Sequence, residues 1–287
     1  VADVGVVVEK FARRRRAFRV KNWELTLGLV IVGLLVVAAI LAPVIAPYNP
    51  NAINILHALE KPSWSHLMGT DFVGRDLFSR VLYGLRVDLL VVAVITYVGL
   101  AIGVTVGTVA GYLGGWFDAV VGRIADTVIS FPFIVLVLAV IAIVGPGLKG
   151  VAIGIIVVGW ALYARLARSE MLAMKEQPFM LATKALGYSN TRAIFRHALP
   201  NLVRSSLVYS TVDVVVNMLV LAGMSYLGLG QQAPGADLGS IIAGGQEYLL
   251  NAWWITTIPG AVLVLFGIGV SLIGDGLTNG ELSMATI

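Results

Sequence analysis

Six stretches of the chain are almost wholly apolar, and the polar residues gather between them. The stretches run approximately from Leu25 to Ile45, Leu89 to Leu113, Thr127 to Val144, Val151 to Leu166, Leu207 to Leu229 and Thr256 to Ile273. A hydrocarbon core about 30 Å thick takes roughly 20 apolar residues in a helix rising about 1.5 Å per residue, so each stretch reads as a span. The pattern predicts an all-α membrane protein with six transmembrane helices. Glycines and prolines inside the stretches suit helices packed on one another, because small residues let backbones approach closely in lipid. The first stretch, preceded by RRRRAF, has a signal peptide as its alternative. It is longer than the usual signal core of about 7 to 15 residues, which favours a retained anchor.

The segments between the spans divide the chain. Residues 1–24 form an N-terminal tail and 25–45 the first span. Residues 46–88 make an outer loop, and 89–287 a core of five spans that includes a polar loop at 169–204. Within the outer loop, LFSRVLYGLRVDLL has apolar residues at helical spacing and is expected to lie along the surface before turning into the second span. The other outer segment, Gln231 to Trp254, reads as a turn at QQAPGAD and a short helix, with Trp253 and Trp254 as interfacial anchors.

Composition removes the soluble alternatives: 58% of residues are hydrophobic, 13% are charged, and the mean hydropathy is +0.91. With no cysteine, redox chemistry says nothing about the compartment. Charge sets the orientation. A cytoplasmic N-terminus places Lys10, Arg13 to Arg16, Arg19, Lys21, Arg123, Arg165, Arg168, Lys175, Lys184, Arg192, Arg196 and Arg204 inside, and leaves Lys61, Arg75, Arg80, Arg86 and Lys149 outside. Both termini and the 169–204 loop are therefore expected in the cytoplasm. The net charge of +4 is an orientation signal facing anionic membrane lipid, not a nucleic-acid footprint.

That loop carries the most structured polar motif. QPFMLATKALG places Phe179, Ala182 and Leu186 on one helical face and Gly187 where a left-handed residue ends a helix. Ser189 or Asn190 then caps a second helix, TRAIFRHAL, which Pro200 closes. On spacing alone, such a partly apolar element is covered either by a partner subunit or by the membrane surface.

The stretch ATKALGYSNTRAIFRHALPN resembles the EAA loop of ABC importer permeases. In that pattern Leu181 stands for the glutamate, Ala182 and Thr183 for the alanines, Gly187 for the glycine and His197 for the isoleucine, ahead of Leu199 and Pro200. Leu181 removes a carboxylate that the pattern offers to the ATPase. HLMGTDFVGRDLFSRVLYGLRVDL, DTVISFPFIVL, MSYLGLGQQAPGADLGSIIAGGQEYL and LIGDGLTN are similar, in order, to further motifs of the dipeptide/oligopeptide/nickel permease group, in the second of its two permease types. The resemblance covers nearly the whole chain.

It implies the type I ABC importer permease fold in a prokaryotic cell membrane. It also implies a second homologous permease, two cytoplasmic ATP-binding subunits and an extracytoplasmic solute-binding protein. The coupling surface it implies comprises Phe179, Leu181, Ala182, Thr183, Lys184, Ala185, Leu186, Gly187, Arg192, Arg196, His197, Leu199 and Pro200. Peptides come first as substrate and oligosaccharides second, with nickel and glutathione-like solutes sharing the motifs.

The chain shows no GxxxxGK[ST] loop, no metal-ligand cluster among three histidines and no nucleophile-base pairing. No cofactor is expected in it; ATP and magnesium belong to the partner ATPases. GTDFVGRD reads first as a turn with Asp71, Arg75 and Asp76 paired locally, Asp126 and Asp275 as helix-end caps, and His197 as packing. Asp213 differs, because it lies mid-span, where a charge costs roughly 2.5 to 3.5 kcal/mol. With Asn217, four residues on, it faces either the translocation pathway or another helix. The family's segment commonly has a glutamate at the place of Leu221, so the polar position has moved along the helix. A secondary transporter, a channel and an intramembrane enzyme remain the alternatives from other classes; each needs ionisable groups at membrane depth that the chain, Asp213 apart, lacks.

Overall fold

The computed structural model describes residues 23–285, and beyond residue 278 the backbone alone. The tail arginines Arg13 to Arg16 lie outside the described residues. The first helix, α1 (Trp23–Ile40), is followed by a single further turn, α2 (Ala42–Ile45), which starts ahead of Pro43. Of α1 only Gly28 and Ala39 are buried.

A loop then runs to α3 (Leu77–Leu113), 37 residues and therefore about 55 Å long, well beyond one bilayer core. The segment expected to lie on the surface is the first part of this single helix. Its inner face, including Leu77, Val81, Leu85 and Asp88, is buried in protein, so it has no free apolar side to lay on a membrane. Asp76 caps α3 by accepting from the Ser79 backbone N–H at 2.8 Å. In the GTDFVGRD turn Arg75 Nε lies on Asp71 at 2.6 Å as expected, with Arg80 at 3.5 Å from the same carboxylate, whereas Asp76 pairs outside the motif, with His66 at 2.9 Å.

The third stretch is not one straight span. Helices α4 (Gly115–Ser130) and α5 (Phe133–Val144) meet at 99°. Pro132 disfavours a helical conformation for the residue before it, and Phe131 is extended at φ −83°, ψ 145°. Asp126 sits inside α4, and Ser130 Oγ donates to its backbone carbonyl, so its carboxylate is not a cap. Helix α6 (Leu148–Met174) extends well past the expected end of the fourth span.

After the elbow formed by α7 (Pro178–Ala185) and α8 (Asn190–Arg192), a π-helical turn at Ala193–Ala198 leads directly into α9 (Leu199–Tyr226). Pro200 does not close a helix here. The wide turn before it, in which Leu199 N–H donates to the Ile194 carbonyl, relieves the clash a proline ring makes in an α-helix, and the chain continues.

A loop and α10 (Leu238–Gly245), opened by an Asp237–Ser240 capping box, precede α11 (Trp254–Ala285). Asp275 falls inside α11, not at its end. Trp253 is exposed as an interfacial residue should be. Trp254 is 2% exposed and its indole N–H donates to the Thr70 carbonyl, so it locks the 46–76 loop onto α11 instead of anchoring in lipid. Among the described residues, five helices are long and apolar enough to cross a bilayer, and the bent α4–α5 pair makes a sixth crossing when taken as one span.

The most extensive contact between helices is that of α3 with α6. Gly99, Gly103, Gly107 and Gly111 recur every four residues along one face of α3, and a Cβ on any of the last three would strike α6 at Trp160 and Tyr163, Ala164 or Arg168 and Met171. At the far edge, Gly28 of α1 lies against Gly269 of α11, with only 2.6 Å from a built Cβ to the Gly269 carbonyl oxygen.

Candidate functional site

The elbow is built from its backbone outward. Gln177 precedes Pro178, whose fixed φ suits the first turn of α7. Leu186 caps the helix, and Gly187 takes φ +71°. Gly187 N–H donates to the Lys184 carbonyl and Tyr188 N–H to the Thr183 carbonyl, both at 3.0 Å, which is the paired closure that a left-handed residue allows. Ser189, the first of the two expected caps, accepts from Arg192 N–H at 3.3 Å. The Arg192 guanidinium lies 4.1 Å from the Tyr188 ring centroid, and His197 stacks on the same tyrosine at 5.6 Å. His197 Nε2 has no hydrogen-bond partner, so packing holds the ring as expected.

The elbow's two sides have opposite characters. Met180 is fully buried and Thr183 nearly so, in and beside a cluster of Leu100, Val104, Tyr163, Ala167, Met171, Ala193, Ala198 and Leu202. That cluster joins the elbow to α3, α6 and α9. On the outer side Phe179, Leu181, Ala182, Lys184, Ala185, Leu186, Gly187, Arg192, Arg196 and Pro200 are all exposed, and His197 and Leu199 partly so. Leu186 is 69% exposed. The elbow thus displays a mixed apolar and basic outer side while its inner side is fixed to the core by apolar packing.

Asp213 and Asn217 come together as their spacing predicts, and the residues that hold them come from other helices. Tyr163 Oη on α6 donates to Asp213 Oδ2 at 2.8 Å, and Asn217 Nδ2 donates to the same oxygen at 2.9 Å. Asn217 Nδ2 also donates to Thr96 Oγ1 on α3 at 2.9 Å. This polar cluster ties α3, α6 and α9 at membrane depth, and Tyr163 belongs both to it and to the apolar cluster under Met180. Sequence reasoning did not find Tyr163 or Thr96. They lie 50 and 121 positions from their partners, and nothing local marks a tyrosine or threonine in an apolar run as a hydrogen-bond partner.

Nearer the elbow, Arg168 of α6 grips Asp118 of α4 through two nitrogens at 2.5 and 2.7 Å, so the bent pair is fastened to α6 by a forked ion pair. Among the described residues no three His, Cys, Asp or Glu side chains gather as a metal cage.

Residues 103–279 match the family described as "binding-protein-dependent transport system inner membrane component", and residues 15–62 match the N-terminal transmembrane domain of oligopeptide transport permease C. The probable D,D-dipeptide transport system permease protein DdpC of Escherichia coli is 36% identical over 271 residues, spanning 94% of this chain and 91% of its own. The dipeptide transport system permease protein DppC of Alkalihalophilus pseudofirmus is 37% identical over 267 residues, spanning 92% and 88%. Among solved structures, an inward-facing form of the MetNI methionine ABC transporter aligns with a TM-score of 0.51 at 22% identity, covering 72% of this chain and 96% of that one, a likeness of fold.

Proposed function

The chain belongs to the family of inner-membrane components of binding-protein-dependent transport systems, and from that premise we propose that it is a peptide-translocating subunit of an ATP-driven importer. The observation that carries this reading is the elbow, an exposed apolar surface built on a left-handed glycine and rooted in the helix core by Met180. Peptides are the substrate class because the relatives are named for dipeptides and peptides.

In this reading the elbow and both termini face the cytoplasm, where two ATP-binding subunits dock on the surface from Phe179 to Pro200. ATP and magnesium are bound there, and this chain performs no hydrolysis. A second homologous permease completes the pathway, and a solute-binding protein delivers peptide to the side of the 46–76 loop. Closure of the ATPase pair displaces the elbow, and the Met180 cluster passes the displacement to α3, α6 and α9. ATP drives the change only because the ATPases hold the two states of the elbow with different affinity.

Reconstitution tests the reading. Proteoliposomes holding this chain with its partner permease, ATPases and binding protein are expected to accumulate labelled dipeptides only with internal ATP. Uptake by the chain alone, without ATPases, overturns it. Orientation is checked separately. As the chain has no cysteine, single cysteines at positions 64 and 190 report sidedness to an impermeant maleimide in right-side-out vesicles, with only position 64 expected to react.

A further inference from the structure

An apolar groove of about 510 Å³ opens between α1, α3, α9 and α11. Val36, Leu89, Val92, Phe266 and Val270 line it, and Arg86 is the one charged residue among its walls. Ser210 and Thr211 also reach it, but their hydroxyls donate to the carbonyls of Leu207 and Val208 within their own helix, so this wall asks for no polar ligand. The groove exists because α1 packs mainly on α11, through Gly28 against Gly269, and leaves its side toward α3 open.

Arg86 is placed unlike the other arginines of this region. Arg75 and Arg80 both pair with Asp71, whereas Arg86 is exposed and, among the described residues, has no carboxylate paired with it. It stands one turn before the apolar run of α3 that starts at Leu89, the depth at which a helix passes from headgroups into hydrocarbon. On α3 the groove extends from Arg86 to Tyr97, about 16 Å at about 1.5 Å per residue. That is close to half of a hydrocarbon core about 30 Å thick, the depth of one leaflet.

We infer that this groove binds one acyl chain of a phospholipid from the leaflet on the side of the 46–76 loop, with the lipid phosphate held by Arg86. The guanidinium offers parallel N–H donors that match phosphate oxygens, and the walls below it match a hydrocarbon chain. A lipid held there fills the gap between α1 and the core and ties the first helix to the rest of the bundle.

The test uses the full chain in nanodiscs containing phosphatidylglycerol with a diazirine in the middle of one acyl chain, the site of photolabelling being read by mass spectrometry. Label on the peptides carrying Val92 and Phe266 is expected to exceed that on Ile143, which is 86% exposed on α5 and lies outside the groove. Arg86→Ala is expected to lower the groove label about five-fold, the effect of one cation near anionic lipid, while leaving Ile143 label unchanged. Ala93→Trp, which fills the groove and keeps Arg86, is expected to abolish groove label. Groove label no higher than at Ile143 in the unmodified protein overturns the inference, and that result needs no variant to fold. Groove label unaffected by either substitution in variants that elute as the unmodified protein does also overturns it.

Discussion

Gly187 and Asp213 show how much a single residue decides. At Gly187 a built Cβ meets nothing within 4 Å, so the demand for glycine is entirely one of backbone angle. A valine held at φ +71° costs on the order of 1–2 kcal/mol, whereas asparagine tolerates that region. Gly187→Val is expected to insert normally and to hydrolyse ATP in the assembled importer with little uptake, and Gly187→Asn to stay close to the unmodified protein. The ratio of peptide taken up to ATP hydrolysed checks this; an unchanged ratio for valine removes the elbow from force transfer.

At Asp213, two donors already occupy one carboxylate oxygen, so the residue acts first as a knot between helices. A double-mutant cycle of Asp213→Asn with Tyr163→Phe is expected to give a coupling of about 0.6 kcal/mol, up to roughly 1.7, in thermal stability. Uptake of cationic and neutral peptides is expected to fall together. A selective loss of cationic peptide uptake makes Asp213 a substrate counter-charge instead.

Among the elements, the α3–α6 pair is held by a glycine ladder whose worth is contact distance. Gly107→Leu drives a side chain into the backbone at Ala164 and is expected to cost about 3 kcal/mol or more, since no flexible side chain stands there to yield. Gly33 of α1, with nothing within 4 Å of a built Cβ, is the matched control, and Gly33→Leu is expected to be neutral. Melting followed by size-exclusion recovery separates them; equal behaviour of the two variants denies the ladder its role. The bend at Phe131–Pro132 and the π turn before Pro200 show the same residue type with opposite outcomes. One proline breaks a helix at 99°, while the other sits in the first turn after a widened one, where its missing N–H is tolerated.

For the whole molecule, orientation rests on the distribution of cations and not on packing. Replacing Arg13 to Arg16 with glutamine is expected to lower the yield of correctly inserted protein, with position 64 partly protected from the impermeant maleimide and position 190 partly reactive. Correctly inserted variant that binds its ATPases and transports poorly assigns the tail a part in transport.

The apolar runs, the glycine at 187 and the Asp213–Asn217 spacing were legible because each depends on neighbours within a few turns: span length, backbone sign and helical phase are local quantities. Motif order was legible for the same reason, and it led to the right family. Four features were not. The merging of the expected surface helix into α3 depends on what covers its inner face. The burial of Trp254 depends on a carbonyl 184 positions away. The partners Tyr163 and Thr96 depend on which helices stand side by side. The groove beneath Arg86 depends on which side of α1 is left without a neighbour. In a chain where nearly every helix is apolar all round, hydropathy marks the depth of a residue in the membrane but not its azimuth. Only the packed bundle decides which face meets protein and which meets lipid.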